Sequence, residues 1–553
     1  MEERTEGLNT PPAATTSLLR NERFWIVAGV TVTLAVIIWQ VSLIGDYRVD
    51  DAYISFAFAR NLAQGHGLTY GSGLKVEGYS NFLWTVLLAG VQLVAPQHLY
   101  EGARVLGFGC LAAVFWFAFK ISRRYVSVPW ALGSVVLLAF ATDMTGAVQS
   151  GLETMAYVAG LMATLYYYLT EDPTRRRRSG WGLLLLGLLR IDGVVHIAFF
   201  IGWAGLSWLL AWRRPRIAET VRWLGPPLLL YALYFAWRYH YYGLPLPTTY
   251  YAKDQIPKVL PNRGFDYVLA SILHLGLPMV MALTIYGLGR RITCERLLLA
   301  ALVTGQLAYA AQVGGDWMPF HRFVLPALPA LMVLFVWGMS DAWRQSRALR
   351  PELRTGVMCA LLGACTFVVR MEDAHSIETG QERADTIMRL HVMNHTRGLL
   401  QARELFKWST RRPGEKFVTD YGGVFGYFSD ADVIEMWGLC NKDIALRGTT
   451  QDINPIYGKT CIPCYREFEP VYFHINTPLA RPVDEIKKQS DVVAAIFQGH
   501  ALDKELDFKS NYVTGRVVNQ DGLAFYFLER RRPGESFEPR HPAPGIVVEY
   551  PFL

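Results

Sequence analysis

The chain has 553 residues, with 54 Lys and Arg against 47 Asp and Glu (formal net charge +7), and is 52% hydrophobic, 13% aromatic and 18% charged. Soluble globular proteins carry about 25% charged residues, so charge is scarce here, and the mean hydropathy of +0.19 averages very unlike parts. These figures exclude a soluble enzyme, a disordered protein and a fibrous one, and they fit a multi-pass membrane protein with a soluble tail.

Residues 24–44 contain no charge and exceed the roughly 20 apolar residues that cross a bilayer. The run is too long for a secretory signal and no small-residue cleavage site follows it, so it reads as an anchored first helix. Further apolar runs fall at 101–121, 128–144, 152–170, 180–190, 193–211, 219–240, 265–287, 295–312, 323–340 and 354–370. Between them stand knots of arginine: Arg123 and Arg124, Arg175 to Arg178, Arg213, Arg214 and Arg216, Arg290 and Arg291, and Arg344, Arg347 and Arg350. Lys and Arg mark cytoplasmic helix ends, which explains the basic balance without nucleic acid. With the N-terminus inside, every knot falls on the cytoplasmic side if the spans number about eleven.

The same parity places 45–100, 145–151, 190–193, 241–264, 313–322 and everything beyond 371 on the opposite side. The first of these loops is far above ordinary connector length, a common mark of function. Residues 51–64 carry apolar side chains at Ala52, Phe56, Ala59, Leu62 and Ala63, the spacing of a helix lying along the membrane surface. A turn with Gly65, Gly67, Gly71 and Gly73 follows, and 81–95 reads as a short second helix, interfacial or re-entrant. The organisation is then a cytoplasmic tail (1–23), a membrane module (24–370) and a soluble α/β domain (371–553). In that domain 384–408 reads as a helix, and 416–419, 432–436, 471–475, 492–497 and 523–528 read as strands. About 180 residues bury a core of their own. Three of the seven cysteines lie there, Cys440, Cys461 and Cys464, and one structural disulfide is expected on the oxidising side.

Ionisable residues beside apolar segments are costly and mark function by default. On the outer side they are Asp50, Asp51, Glu77, Glu153, Arg190, Asp192, Lys253, Asp316, His321 and Arg322, each at or near the outer end of a run, where together they can line one cavity. Of Asp50 and Asp51, one can cap the helix that starts near Ala52, leaving the other as a general base; spacing does not select between them. Arg322, with Lys253, has the chemistry to hold a phosphate. No P-loop, dinucleotide-binding or HExxH motif is present, so an activated substrate used on this side must arrive without a nucleotide, as a lipid-linked phosphosugar does. No spaced ligand set indicates a metal.

Several motifs together resemble the GT-C glycosyltransferases, and most of all the group of the mycobacterial terminal arabinofuranosyltransferases. They are Asp50-Asp51-Ala52-Tyr53-Ile54-Ser55-Phe56, Gly65-His66-Gly67-Leu68, Val76-Glu77-Gly78-Tyr79-Ser80-Asn81, Ser150-Gly151-Leu152-Glu153-Thr154, the stretch 242–253 with Tyr250, and 314–322. In the tail, 420–429 and 433–439 are also similar. The resemblance implies a GT-C fold and a polyprenyl-phosphate-sugar donor, with transfer of a sugar, best read as D-arabinofuranose, to a glycan, lipid or protein acceptor at the cell (inner) membrane. It implies that Asp50 or Asp51 deprotonates the acceptor, that Lys253 and Arg322 hold the leaving phosphate, and that Glu77, Glu153 and Asp316 position sugar hydroxyls. His66, Arg190, Asp192, Tyr250 and His321 complete the implied substrate-binding set. Arg190-Ile191-Asp192 departs from the group's expected Arg-Pro-Asp or Arg-Pro-Glu. Some GT-C enzymes use a divalent cation and others none, and the sequence does not choose. Rival readings are transfer of another sugar or aminosugar to lipid A or protein, and a lipid transporter or flippase; the repeated halves usual in transporters are not found.

Overall fold

The structure, a computed structural model, describes residues 21–210, 217–254, 262–345, 415–428, 432–449, 459–474, 481–482 and 508–551, apart from single positions within those stretches. The expected span at 354–370, helix at 384–408 and strand at 492–497 lie outside the described residues.

Among the described residues fifteen α-helices build the first part. They are α1 (Glu22–Ile44), α2 (Asp50–Ala63), α3 (Phe82–Val94), α4 (Leu99–Ser122), α5 (Val128–Phe140), α6 (Thr142–Gln149), α7 (Thr154–Thr170) and α8 (Arg178–Leu189), followed by α9 (Gly193–Leu210), α10 (Ile217–Tyr242), α11 (Thr248–Lys253), α12 (Arg263–His274), α13 (Leu277–Arg290), α14 (Cys294–Gln312) and α15 (Leu328–Gln345). The first ten apolar runs of the sequence each fall on one helix or a pair of them. By length and apolarity three described helices can cross a membrane, or four when α5 and α6, bent by 56°, count as one. Val27, Leu34 and Ile38 on α1 and Leu229, Leu233 and Trp237 on α10 remain exposed, an apolar surface that water does not tolerate at this extent. This is a membrane protein.

Two expectations change. The run at 265–287 is not continuous, because it breaks into α12 and α13 at Leu275. Gly276 disfavours helix, and Pro278 is tolerated only in a helix's first turn. The first of the two leaves Phe265, Leu269 and Leu273 exposed along one side, the pattern of a helix in an interface plane. The second change concerns α2. The amphipathic surface helix is instead sunk into protein, with every residue from Ala52 to Ala59 buried, because the C-terminal domain covers the face assigned to water.

That domain holds one sheet in the order β2-β1-β3-β6-β5-β8-β7, with β4 beside β6. Its strands are β1 (Lys416–Thr419), β2 (Asp432–Glu435), β3 (Tyr472–His474), β4 (Arg481–Pro482), β5 (Tyr512–Val518), β6 (Leu523–Arg530), β7 (Arg540–Ala543) and β8 (Ile546–Glu549). β1 pairs in parallel with β2 and β3, and the remaining pairs are antiparallel. Parallel neighbours need a crossover, and α16 (Gly422–Phe428) supplies it between β1 and β2. Among the described residues three more short helices follow in the domain, α17 (Lys442–Arg447), α18 (Ile462–Phe468) and α19 (Phe508–Asn511). A disulfide joins Cys461 to Cys464, and Cys440 is a buried free thiol.

Candidate active site

The crossover helix α16 is what the C-terminal domain presents to α2. Its amides at Gly423 and Val424 donate to the two carboxylate oxygens of Asp50, at 2.9 and 2.8 Å. Helix N-termini expose unpaired amides and a partial positive charge, so a carboxylate there is stabilised. Asp50 therefore caps a helix some 370 residues away in sequence, whereas its own helix has Val49 at the cap position and no side-chain cap. Gly423 is the enabling residue, since a Cβ there would sit 1.9 Å from the Asp50 carbonyl oxygen. Tyr70 from the glycine turn donates to the Gly422 carbonyl at 2.5 Å, and Arg60 donates to the carbonyls of Gly426 and Tyr427. Tyr53 packs against Tyr427 and Phe428.

Burial pushes the Asp50 carboxyl up to about 7, overriding its two amide hydrogen bonds, with Asp51 and Asp420 adding repulsion. Burial likewise pushes Glu435, at the end of β2, up to about 8, although the amides of Trp437, Leu439 and Cys440 donate to it. An acid whose folded-state value lies above its unfolded one binds more protons when folded. Its contribution is complete below about pH 4 and is lost as pH rises through 7 to 8. The detergent-solubilised protein should therefore lose thermal stability between about pH 5 and pH 8, with Asp50→Asn flattening that slope. A wild-type melting profile that is level across this range would remove the assignment.

Asp51 faces elsewhere. Its side chain is 20% exposed, and one oxygen lies 3.8 Å from Nη2 of Arg322. Arg322 is also paired closely with Asp316. Burial opposes the Arg322 charge, but Asp316 and Asp51 outweigh it and raise its value further, while Arg190 and Glu153 contribute at longer range. The loop that carries Arg322 is pinned by Arg263, whose guanidinium donates to the carbonyls of Gly314 and Asp316, at 2.5 and 2.9 Å.

Beside it stands a second, partly buried network. Arg190 makes a two-pronged pair with Asp192 (2.8 and 3.0 Å) and reaches Glu153 at 3.0 Å. Asn81 donates to the other Glu153 oxygen at 2.8 Å, and the Tyr309 hydroxyl donates to Asp192 at 3.0 Å. The Phe323 ring lies between the clusters, 5.2 Å from the Arg190 guanidinium carbon and 5.6 Å from that of Arg322. Asp51, Asp316, Arg322, Glu153, Arg190 and Asp192 thus share one polar region, and the Arg-Ile-Asp departure keeps its ion pair.

Four expected residues stand apart. Glu77 is buried against Arg238, with Nε 2.7 and 2.8 Å from its two oxygens. The ring of His66 is exposed and makes no hydrogen bond or ion pair among the described residues. Tyr250 is exposed and meets Tyr251 edge-on. Lys253 closes α11 without an ion pair among the described residues, while its neighbour Asp254 pairs with Lys459 at 2.9 Å. His321 does sit at the cluster, but Nδ1 lies 2.8 Å from Asp143, which also stands 3.7 Å from Nε2 of His274. Neither Asp143 nor His274 nor Arg238 was expected at a site. Each lies inside a run assigned to the membrane, and a charge in an apolar run is itself a signal. A small apolar crevice lined by Leu183, Ile197, Leu224 and Tyr231 lies between α8, α9 and α10 and contains none of these groups.

Comparison with known proteins agrees with this architecture. No family model matches the chain. A terminal beta-(1->2)-arabinofuranosyltransferase of Corynebacterium glutamicum is 26% identical over 333 residues, which are 52% of this chain and 47% of that protein, so the chain matches only about half the length of this curated relative. The oligosaccharyltransferase AglB of Archaeoglobus fulgidus, solved with an inhibitory peptide and a dolichol-phosphate, superposes with a TM-score of 0.52 at 10% identity, covering 94% of this chain and 75% of that one. ArnT of Cupriavidus metallidurans, solved with undecaprenyl phosphate, has a TM-score of 0.47 at 11% identity over 80% and 90% of the two chains. The fold likeness rests on AglB alone, and with the arabinofuranosyltransferase match it bears out the resemblance to the GT-C group.

Proposed function

We propose that the protein is a membrane glycosyltransferase that moves a sugar, D-arabinofuranose in the reading its sequence relative favours, from a polyprenyl-phosphate donor to a cell-envelope glycan or other acceptor beyond the cytoplasm. The reading takes the N-terminus as cytoplasmic and the sheet domain as facing the opposite side of the cell membrane. One observation carries it: a partly open carboxylate, Asp51, next to an equally half-buried guanidinium, Arg322. This is the pair that sugar transfer from a phosphate needs.

In this mechanism Asp51 accepts the proton of the incoming hydroxyl. The resulting oxygen attacks the anomeric carbon from the face opposite the phosphate, and the bond from that carbon to the phosphate oxygen breaks with inversion. The departing polyprenyl phosphate gains negative charge next to Arg322, and Lys253, which makes no ion pair among the described residues, is the second cation this reading assigns to it. Positive charge fixed before reaction costs no reorganisation when the leaving group departs. Asp316 orients the Arg322 guanidinium, and the Glu153, Arg190 and Asp192 network forms the wall that faces sugar hydroxyls. Both oxygens of Asp50 are held by amides, so it anchors α2 and leaves the base role to Asp51.

The test is product analysis. Purified protein in detergent, given polyprenyl-phosphoarabinose and an arabinan oligosaccharide, should extend the acceptor by one pentose of inverted anomeric configuration. Extension with retention would refute the single-displacement mechanism. If the protein binds this lipid but uses only a different sugar, the arabinose assignment falls and the lipid-dependent one stands.

A further inference from the structure

We propose that Asp143, His274 and His321 form a binding site for a divalent first-row transition ion of the Zn²⁺ type. The three side chains come from three separate segments: α6, the end of α12 and the loop before α15. One carboxylate serves both imidazoles, Oδ1 lying 2.8 Å from Nδ1 of His321 and Oδ2 3.7 Å from Nε2 of His274. All three donor atoms lie within 4.8 Å of one another, and the two imidazole rings are 4.9 Å apart between centroids. Ligands at about 2.0–2.2 Å from a tetrahedral ion stand roughly 3.3–3.6 Å from each other. Binding thus needs only that the hydrogen-bonded His321 open by less than an ångström and the other contacts close.

The donor set selects the ion. Two imidazoles and a carboxylate suit Zn²⁺, Fe²⁺ or Co²⁺ over Mg²⁺ and Ca²⁺, which prefer oxygen. The Asp143 side chain is only 2% exposed, while those of His321 and His274 are 19% and 26% exposed. One side of the site is therefore open to water or a further ligand. The backbone is bent to bring His321 there, with left-handed φ of 69° at Phe320 and 36° at His321. The Phe320 ring fills the space beside Gly146, where a Cβ would lie 2.3 Å from it. An ion here joins α6 and α12 to the loop whose next residue is Arg322, and so fixes that guanidinium.

Metal binding is measured directly, so its failure is separable from failure of the glycosyltransferase reading. Full-length protein in detergent, stripped with chelator and dialysed against Zn²⁺, should retain about one ion, and Co²⁺ should give the visible absorption of a low-symmetry nitrogen- and oxygen-ligated site. Zn²⁺ should also raise the melting temperature, as any ligand selective for the folded state does. His274→Gln and His321→Gln should each weaken binding at least 10-fold and abolish the melting shift, and His98→Gln, an exposed histidine elsewhere, should leave both unchanged. Wild-type protein with no retained ion and no melting shift would overturn the site and leave a plain aspartate–histidine hydrogen bond. Full retention in both cluster variants would overturn it equally, by locating the ion elsewhere.

Discussion

Asp51→Asn should lower sugar transfer by roughly 10²–10⁴-fold, the range over which a positioned general base acts, whereas Asp50→Asn should cost less than about tenfold. The two carboxylates are neighbours, yet their surroundings separate them. Asp50 is buried, and each of its oxygens already accepts from an amide, of Gly423 and Val424, so it is less accessible to an incoming hydroxyl than Asp51. An asparagine there retains one of the two acceptor contacts. Asp51 retains exposure and lies beside Arg322, where a hydroxyl and a phosphate can be adjacent. The assay is initial rate against acceptor concentration for both variants, with donor-lipid affinity measured separately. Asp51→Asn should turn over poorly while binding donor about as well as wild type. If instead Asp50→Asn is the inactive variant and Asp51→Asn works normally, the base has been assigned to the wrong residue.

Local pattern made α2, the glycine turn and strands β1, β2, β3 and β6 legible. Gly65, Gly67, Gly71 and Gly73 all adopt positive φ, which only glycine takes without strain. The two features that shape the site were not legible in this way. The cover over α2 is a contact between Asp50 and a helix near residue 423, and no periodicity within the first loop records a partner so distant. The spacing that suggested a water-facing side was met instead by aromatic rings of α16. β5 was missed because Gly515 and Arg516 interrupt its apolar run, and it gains its place from the seven-residue register with β6. β7 and β8 were hidden by the proline and arginine content after Arg530, although Gly545 turns between them with a φ of 75°. The histidine and aspartate cluster failed for another reason. Asp143 and His274 were absorbed into membrane runs treated as continuous, and both runs break close to those residues.

Arg238→Met should destabilise the protein by about 3–5 kcal/mol, the cost of leaving a buried charge without its partner. The Arg238 side chain is 0% and that of Glu77 4% exposed. The same guanidinium donates to the Pro245 carbonyl at 2.9 and 3.0 Å. The Thr248 hydroxyl and amide donate to the Glu77 carbonyl, at 2.8 and 3.0 Å, and the hydroxyl also reaches the Leu439 carbonyl. The ion pair and the hydrogen bonds around it therefore hold the first loop, the end of α10, the start of α11 and the sheet domain together. This arrangement competes with the expectation, from motif resemblance, that Glu77 positions a sugar hydroxyl. The two roles predict different data. A clamp makes Glu77→Gln and Arg238→Met each lower the melting temperature in detergent by several degrees, while Glu77→Met combined with Arg238→Met recovers much of the loss, because two apolar side chains leave no unpaired buried charge. A sugar contact makes Glu77→Gln raise KM at unchanged melting temperature, with no recovery in the double variant. The buried geometry favours the clamp, and on that reading Glu77 and Arg238 fix the turn at Pro245 that leads into α11.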